Sequence, residues 1–294
     1  MDMEVLKESM KTKKIKMMCK IIYIISIAAL LCFFSSCVKD ADVKLPAVES
    51  KLVINSFISP QDTIIRVAVT LSQPLYNNSN AGQFFNVSNA SVLINDGVNS
   101  KTLIYNSIEN YYSIGISQLP IVVGTTYYLT VSTPDGKNIT ATTSIPNANS
   151  TLTFSSHYVN DPNQQDSTYS ITTFWNDSPG TEDYYRVSYY EKQFYPGAID
   201  TSYSILFSGN YSDKDKDGTT LSDIFEVYKA YSIGNMGELY LIHATKEYYL
   251  YHTKLADAAN SLGPFTEPVQ MYSNINGGYG IFAGFNQYKL PVSL

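Results

Sequence analysis

Asp213-Lys214-Asp215-Lys216-Asp217-Gly218 has the opening of a calcium-binding loop. In such a loop carboxylates at positions 1, 3 and 5 converge on Ca²⁺, and the glycine at position 6 permits the sharp bend. A bidentate Glu belongs at position 12, but Ile224 stands there, with Asp223 one residue early. No helical pattern leads into the loop. The competing reading is a solvated acidic turn. Asp213, Asp215 and Asp217 are therefore a weak Ca²⁺ candidate, and no other cofactor is expected.

Other chemistry-bearing patterns are fewer still. Gly278-Tyr279-Gly280-Ile281-Phe282-Ala283 matches the letters of the dinucleotide fingerprint G-x-G-x-x-A. That fingerprint works only between a strand and a helix of a βαβ unit, whereas the residues after Ala283 read as strand. Its glycines are expected instead to permit a tight turn or a close approach of backbones in a sheet. His157, His243 and His252 are scattered, without the H-E-x-x-H spacing of a zinc protease, and read as structural or surface residues. There is no G-x-S-x-G, and no S-x-x-K beyond residue 36, so common hydrolase signatures are missing. Paired carboxylates of a glycan-active hydrolase need only meet in space, and that minor alternative stays open. The reading favoured here is a protein that is not an enzyme.

The N-terminus carries a sharper pattern. Lys7, Lys11, Lys13, Lys14, Lys16 and Lys20 precede an uncharged apolar run from Ile21 to Phe34, which is followed by Ser35-Ser36-Cys37. The run falls short of the roughly 20 residues that a membrane-spanning helix needs. A basic segment, a short apolar core and small residues before a cut site are the parts of a secretory signal. Small residues before a Cys resemble the lipobox of bacterial lipoproteins, in which that Cys is diacylated with palmitate-class chains. We therefore expect a signal peptide over 1–36, with translation beginning at Met1, Met10 or Met17, and lipid on Cys37. Cys19 and Cys32 lie within the signal, so the mature chain can form no internal disulfide.

Beyond the signal the chain is acidic, and its only arginines are Arg66 and Arg186. Without a basic stripe it is not expected to bind nucleic acid, and an acidic body does not adhere to anionic lipid by charge. The acyl chains are thus the expected link to the outer membrane. Val38-Lys39-Asp40-Ala41-Asp42 follows the Cys. A Lys followed by acidic residues resembles the export signal that places some lipoproteins on the cell surface, with Lys39, Asp40 and Asp42 as its candidate residues.

The elements that must hold these residues read as mainly β. Residues 37–50 form a polar tether. From 51 to 150, alternation such as Ile65, Val67, Val69 and Leu71 against Arg66, Ala68 and Thr70, with turns such as Pro134-Asp135-Gly136, indicates an immunoglobulin-like β-sandwich. Pro146-Asn147-Ala148-Asn149-Ser150 is the expected boundary. Residues 151–294 read as a second β-rich domain with one helix near 246–259, capped by Thr245 and burying Tyr248, Tyr251, Leu255, Ala258 and Ala259. Tyr pairs recur, as at Tyr127-Tyr128, Tyr184-Tyr185 and Tyr248-Tyr249. In a half-buried strand one Tyr of each pair faces the core and the other faces solvent.

Several segments together carry a family resemblance. They are Leu52-Val53-Ile54-Asn55-Ser56, Val123-Gly124-Thr125-Thr126-Tyr127-Tyr128-Leu129-Thr130-Val131, Asp183-Tyr184-Tyr185-Arg186-Val187, Glu247-Tyr248-Tyr249-Leu250-Tyr251 and the stretch Ser273 to Phe282. In this order, behind a lipobox, they resemble the lipoprotein family of unknown function called DUF4249, over essentially the whole mature chain. The resemblance implies an outer-membrane lipoprotein, often encoded beside a TonB-dependent receptor, with no established catalytic residues. The implied function is accessory ligand binding or uptake with such a receptor, and the alternative is an adhesive or structural surface protein. Lipidation is directly testable: Cys37→Ala should abolish acyl labelling and release the protein from membranes, and continued labelling would refute the lipobox.

Overall fold

The computed structural model describes residues 13–26, 49–73, 85–147, 151–159, 168–193, 202–228, 236–261 and 269–294. Cys37, Lys39, Asp40 and Asp42 lie outside them. The chain divides into two compact units, Met1–Ala47 and Val48–Leu294. In the first, residues 13–26 form helix α1. Among the described residues no helix is long and apolar enough to cross a membrane.

The second unit is built almost wholly of strands. Its first half contributes β1 (Leu52–Ile58), β2 (Ile64–Leu71), β3 (Phe85–Asn86), β4 (Ser91–Asn95), β5 (Ser100–Thr102), β6 (Ile104–Asn106), β7 (Tyr111–Gly115), β8 (Thr126–Ser132) and β9 (Asn138–Ser144). These form two layers, with order β1-β2-β7-β6 in one and β5-β4-β8-β9 in the other. In immunoglobulin lettering the layers are A-B-E-D and C′-C-F-G. The period-two residues of each strand meet between them: Ile54, Val67 and Val69 from one layer, Ile94, Leu129 and Val131 from the other. Each such buried side chain contributes roughly 1.5–3 kcal/mol. Tyr127, at the start of the F strand, donates from its hydroxyl to Pro120 O (2.8 Å) and accepts from Val122 N (2.7 Å). This is the tyrosine corner of immunoglobulin-like domains. It secures the E–F crossover without a disulfide.

The second half supplies β10 (Thr153–Val159), β11 (Thr168–Asn176), β12 (Tyr184–Gln193), β13 (Ser202–Ser212), β14 (Thr220–Tyr228), β15 (Met236–Ala244), helix α2 (Lys246–Asn260) and β16 (Tyr279–Ser293). A three-stranded sheet, β10-β11-β14, faces β13-β12-β15-β16. Trp175, Leu221 and Val227 from the first sheet pack on Tyr185, Val187 and Leu241 from the second. Helix α2 follows β15 directly. Thr245 caps it by accepting from Tyr248 N, as expected, but Tyr248 is its only fully buried residue, and Leu255 and Ala259 are exposed. Tyr184 and Tyr185 are both buried. β12 has the opposing sheet on one face and α2 on the other, where Tyr184 stacks against Tyr249.

Strand β16 joins the two sandwiches. Its first part, Tyr279 to Gly284, pairs in parallel with Val53 to Ile58 of β1. Its second part, Phe285 to Ser293, pairs antiparallel with Ala244 to Met236 of β15. One nine-stranded sheet therefore runs through both halves. The contacts of β16 are close: a Cβ on Gly280, whose φ is +104°, would lie 1.9 Å from Ile54 O of β1, and one on Gly284 would lie 2.0 Å from Ser144 O of β9. Gly280→Ala should cost more than about 3 kcal/mol and lower Tm by roughly 6–12 °C. Gly136→Ala, also at positive φ but with open space around it, should cost only about 1–2 kcal/mol. Equal losses in the two variants, measured by denaturant unfolding, would refute the close approach.

Candidate functional site

At one end of the second sandwich three acidic residues from distant parts of the chain meet. Asp177 follows β11, Asp183 immediately precedes β12, and Asp213 immediately follows β13. Antiparallel pairing of β12 with β13 sets Tyr184 opposite Ser212, which brings Asp183 and Asp213 side by side, with Asp213 N donating to Asp183 O at 3.2 Å. One carboxylate oxygen from each of the three lies within 4.8 Å of the others. At that spacing each pair of negative charges repels by roughly 3–4 kcal/mol at an effective dielectric constant of about 20.

Two of the three carboxylates are well supplied with donors. Asp177 accepts from the Tyr185 hydroxyl and from Gly218 N, both at 2.7 Å. Asp183 accepts from the Thr181 hydroxyl and faces His243 Nε2, both at 3.1 Å. His243 stacks on Tyr185, and its Nδ1 lies 2.8 Å from Asn147 O. Both neighbours of that ring, Asp183 and Asn147 O, are acceptors. Asp213 differs. It is 2% exposed, and among the described residues neither of its carboxylate oxygens has a hydrogen-bond partner. Burial pushes its pKa above the ordinary carboxylate value, opposed by the nearby Asp183 backbone N–H and reinforced by the charges of Asp177 and Asp183.

The calcium-like loop is therefore arranged differently from its sequence pattern. Asp213 points inward. Asp215 is exposed and left-handed at φ 66°, and the Asp217 side chain accepts from Gly180 N at 2.8 Å. Their carboxylates do not gather as a group with Asp213; Asp177 and Asp183 do. Asp223 is held in β14, where it accepts from the Tyr211 hydroxyl. Asp177 and Asp183 carried no motif in sequence. The turn Asn176-Asp177-Ser178-Pro179-Gly180 and the family segment beginning at Asp183 were the only hints.

A second feature lies beside α2. A groove of about 1230 Å³ runs between the helix, the segment 269–275 and the β1–β16 pair, lined by Val53, Tyr251, Met271, Tyr272 and Tyr279. Lys254 and Asp257, an ion pair at 3.0 Å, stand at its edge. Rigid aromatic and thioether side chains with polar tips suit binding of an amphipathic partner. The segment that forms one wall is pinned: Asn274 donates to Phe282 O at 2.7 Å and accepts from Phe282 N at 3.0 Å. Asn276 pairs both ways with Thr140. Gly278 and Gly280, the glycines of the G-x-G-x-x-A letters, serve close backbone packing here.

His252 is enclosed by Phe57, Tyr248 and Tyr251, with its Nδ1 3.0 Å from Tyr248 O. Burial, reinforced by the Arg186 charge, lowers its pKa to about 4. An unfolded chain therefore binds this proton from about pH 6.5 downward, while the folded one binds it only near pH 4. The associated stability is full above pH 6.5 and is lost as pH falls through 4, by up to about 3 kcal/mol. His252→Gln should flatten that part of the pH–stability curve, and an unchanged slope between pH 6.5 and 4 would contradict the assignment.

No curated protein matches this chain. One solved structure, trypsin-activated alpha-2-macroglobulin from Escherichia coli, is similar at 7% identity over 69% of this chain, with a TM-score of 0.23. This chain spans 15% of that protein's length, and nothing about fold or function follows from so low a score. A family match covers residues 38–290, nearly all of the second unit together with the residues that precede it. By that match the chain belongs to the family described as "Domain of unknown function (DUF4249)".

Proposed function

We propose that the protein is a non-enzymatic lipoprotein of the outer membrane, displayed on the cell surface as an accessory to a TonB-dependent receptor in ligand binding or uptake. The observation that carries the binding role is the groove beside α2, where Tyr251, Met271, Tyr272 and Tyr279 gather. Met271 and Tyr279 are large apolar side chains left exposed, as at contact sites. Anchorage rests on the Ser35-Ser36-Cys37 pattern, and display rests on Lys39, Asp40 and Asp42. The histidines nearest these features are committed elsewhere: His243 to Asp183 and Asn147, His252 to its aromatic cage. That supports binding rather than catalysis.

A second reading, an adhesive or structural surface protein, is favoured by one observation. β16 makes the two sandwiches share a sheet, which suits a stiff spacer.

Protease added to whole cells should remove the protein while periplasmic markers survive, and a receptor should co-purify from detergent-solubilised membranes. Changing Lys39, Asp40 and Asp42 to Ala should leave acylation intact but move the protein to the inner leaflet. Two acyl chains anchor strongly in either leaflet, so residues beside the lipid must make that choice. Complete protection of the unaltered protein would overturn surface display. A display-competent protein that brings down no receptor would leave the spacer reading.

A further inference from the structure

We infer that Asp177, Asp183 and Asp213 form a calcium-binding site, distinct from the linear loop pattern of Asp213, Asp215 and Asp217. Three observations lead there, and none depends on where in the cell the protein resides.

The first is the donor set. The site presents carboxylate oxygens, the preference of a hard cation such as Ca²⁺. The nearest nitrogen ligand, His243, has its ring atoms turned to Asp183 Oδ1 and Asn147 O, and no thiol lies in this part of the chain. Softer metals that want imidazole or thiolate are poorly served.

The second is geometry. One oxygen from each residue lies within 4.8 Å of the other two. Ca²⁺ holds its oxygens at about 2.3–2.6 Å, so two oxygens on one ion can be separated by no more than about 5 Å. Even at the full 4.8 Å separation a central ion would sit about 2.8 Å from all three, so an inward shift of a few tenths of an ångström brings them to bonding distance. They come from three separate connections, and each is fixed by something other than the ion. Asp177 is held by Tyr185 and Gly218, Asp183 by Thr181 and His243, and Asp213 by the β12–β13 pairing. Preformed ligand positions of this kind need little reorganisation to accept a cation.

The third is the state of Asp213. A buried carboxylate is ordinarily hydrogen-bonded or paired. Asp213 is almost fully enclosed and faces two other carboxylates, yet among the described residues neither of its oxygens has a hydrogen-bond partner, and the closest polar help is the backbone N–H of Asp183 and of Asp213 itself. Lys214 and Lys216, its neighbours in sequence, are exposed, and no ion pair among the described residues involves Asp213. Three carboxylates gathered this closely leave a local excess of negative charge. A divalent cation neutralises that excess and supplies Asp213 with the partner it lacks.

The test uses the full chain in detergent micelles, stripped with a chelator and titrated with Ca²⁺ by calorimetry and thermal unfolding. The expected affinity is that of extracellular modules, a Kd of about 10⁻⁴–10⁻³ M, with Tm rising by several degrees at about 10 mM Ca²⁺. Mg²⁺, which demands a tighter octahedron, should bind more weakly. Asp213→Asn should reduce Ca²⁺ affinity by roughly tenfold or more, and it should raise Tm in the calcium-free protein because one like charge leaves the cluster. Asp215→Asn, at an exposed left-handed position that Asn tolerates, should change neither. If Asp213→Asn does not accumulate as folded protein, Asp183→Asn replaces it, and the same tenfold loss is required. The inference is overturned if the unaltered protein shows neither heat nor a Tm shift at millimolar Ca²⁺. It is also overturned if Asp215→Asn loses binding while the cluster variant keeps it, which would return the site to the linear loop.

Discussion

The whole of the second unit depends on one backbone contact, the parallel pairing of β16 with β1. Parallel strands need a long crossover between them, and here that crossover is nearly the entire fold, from Ile58 to Tyr279. The pairing is possible only because Gly280 carries no Cβ where the Ile54 backbone presses in, and Gly284 likewise lets the Ser144 backbone of β9 approach the same strand. Gly284 N also donates to the Thr143 hydroxyl, and Gly284 O accepts from Thr245 N at the start of α2. Three separate structures, the A strand, the G strand and the helix cap, are thus referenced to a single residue.

The groove inherits its shape from that strand, and the acidic cluster is tied to it only indirectly. The groove is bounded by β16, β1, α2 and a segment that Asn274 and Asn276 tie to Phe282 and Thr140. Asn274 mimics a neighbouring strand and closes off part of the β16 edge, a usual protection against unwanted pairing. The boundary segment between the halves is tied down in the same way. Pro146 O accepts from the buried Asn286 side chain, and Asn147 O lies against His243. Through His243 the boundary reaches Asp183, so the acidic cluster is coupled to the joint between the sandwiches.

What was legible in the sequence was local. Strict alternation at Ile65 to Leu71, the Thr245 cap and the turn at Pro134 to Gly136 each depend on neighbours within a few residues, and each lies where its pattern placed it. The strands of 51–150 form the immunoglobulin-like layers that their spacing suggested. Features set by distant pairing were not legible. The burial of both Tyr184 and Tyr185 requires knowing that a helix covers the far face of β12. The exposure of Leu255 requires knowing how little of α2 the sheet covers. Asp177 and Asp183 could not be joined to Asp213 from spacing, because the link is the β12–β13 register, and a D-x-D-x-D run drew attention to the wrong partners.

Most buried polar groups of this unit are matched, and the exceptions among the described residues are Trp175, Tyr184, Tyr189, Glu191, Thr253 and Asp213. In this unit Asn286, Thr143, Ser56 and His243 are buried and each is matched by a donor or acceptor of known place. That is the ordinary condition of a folded interior, since an unmatched group costs about 1–3 kcal/mol or more when charged. Asp213 is one exception, buried directly after β13 while residues 214–220 that follow it are all exposed. Glu191 is likewise a buried carboxylate without a hydrogen-bond partner among the described residues, but only Asp213 also faces two further carboxylates, and a departure of that kind is expected where a chain binds something.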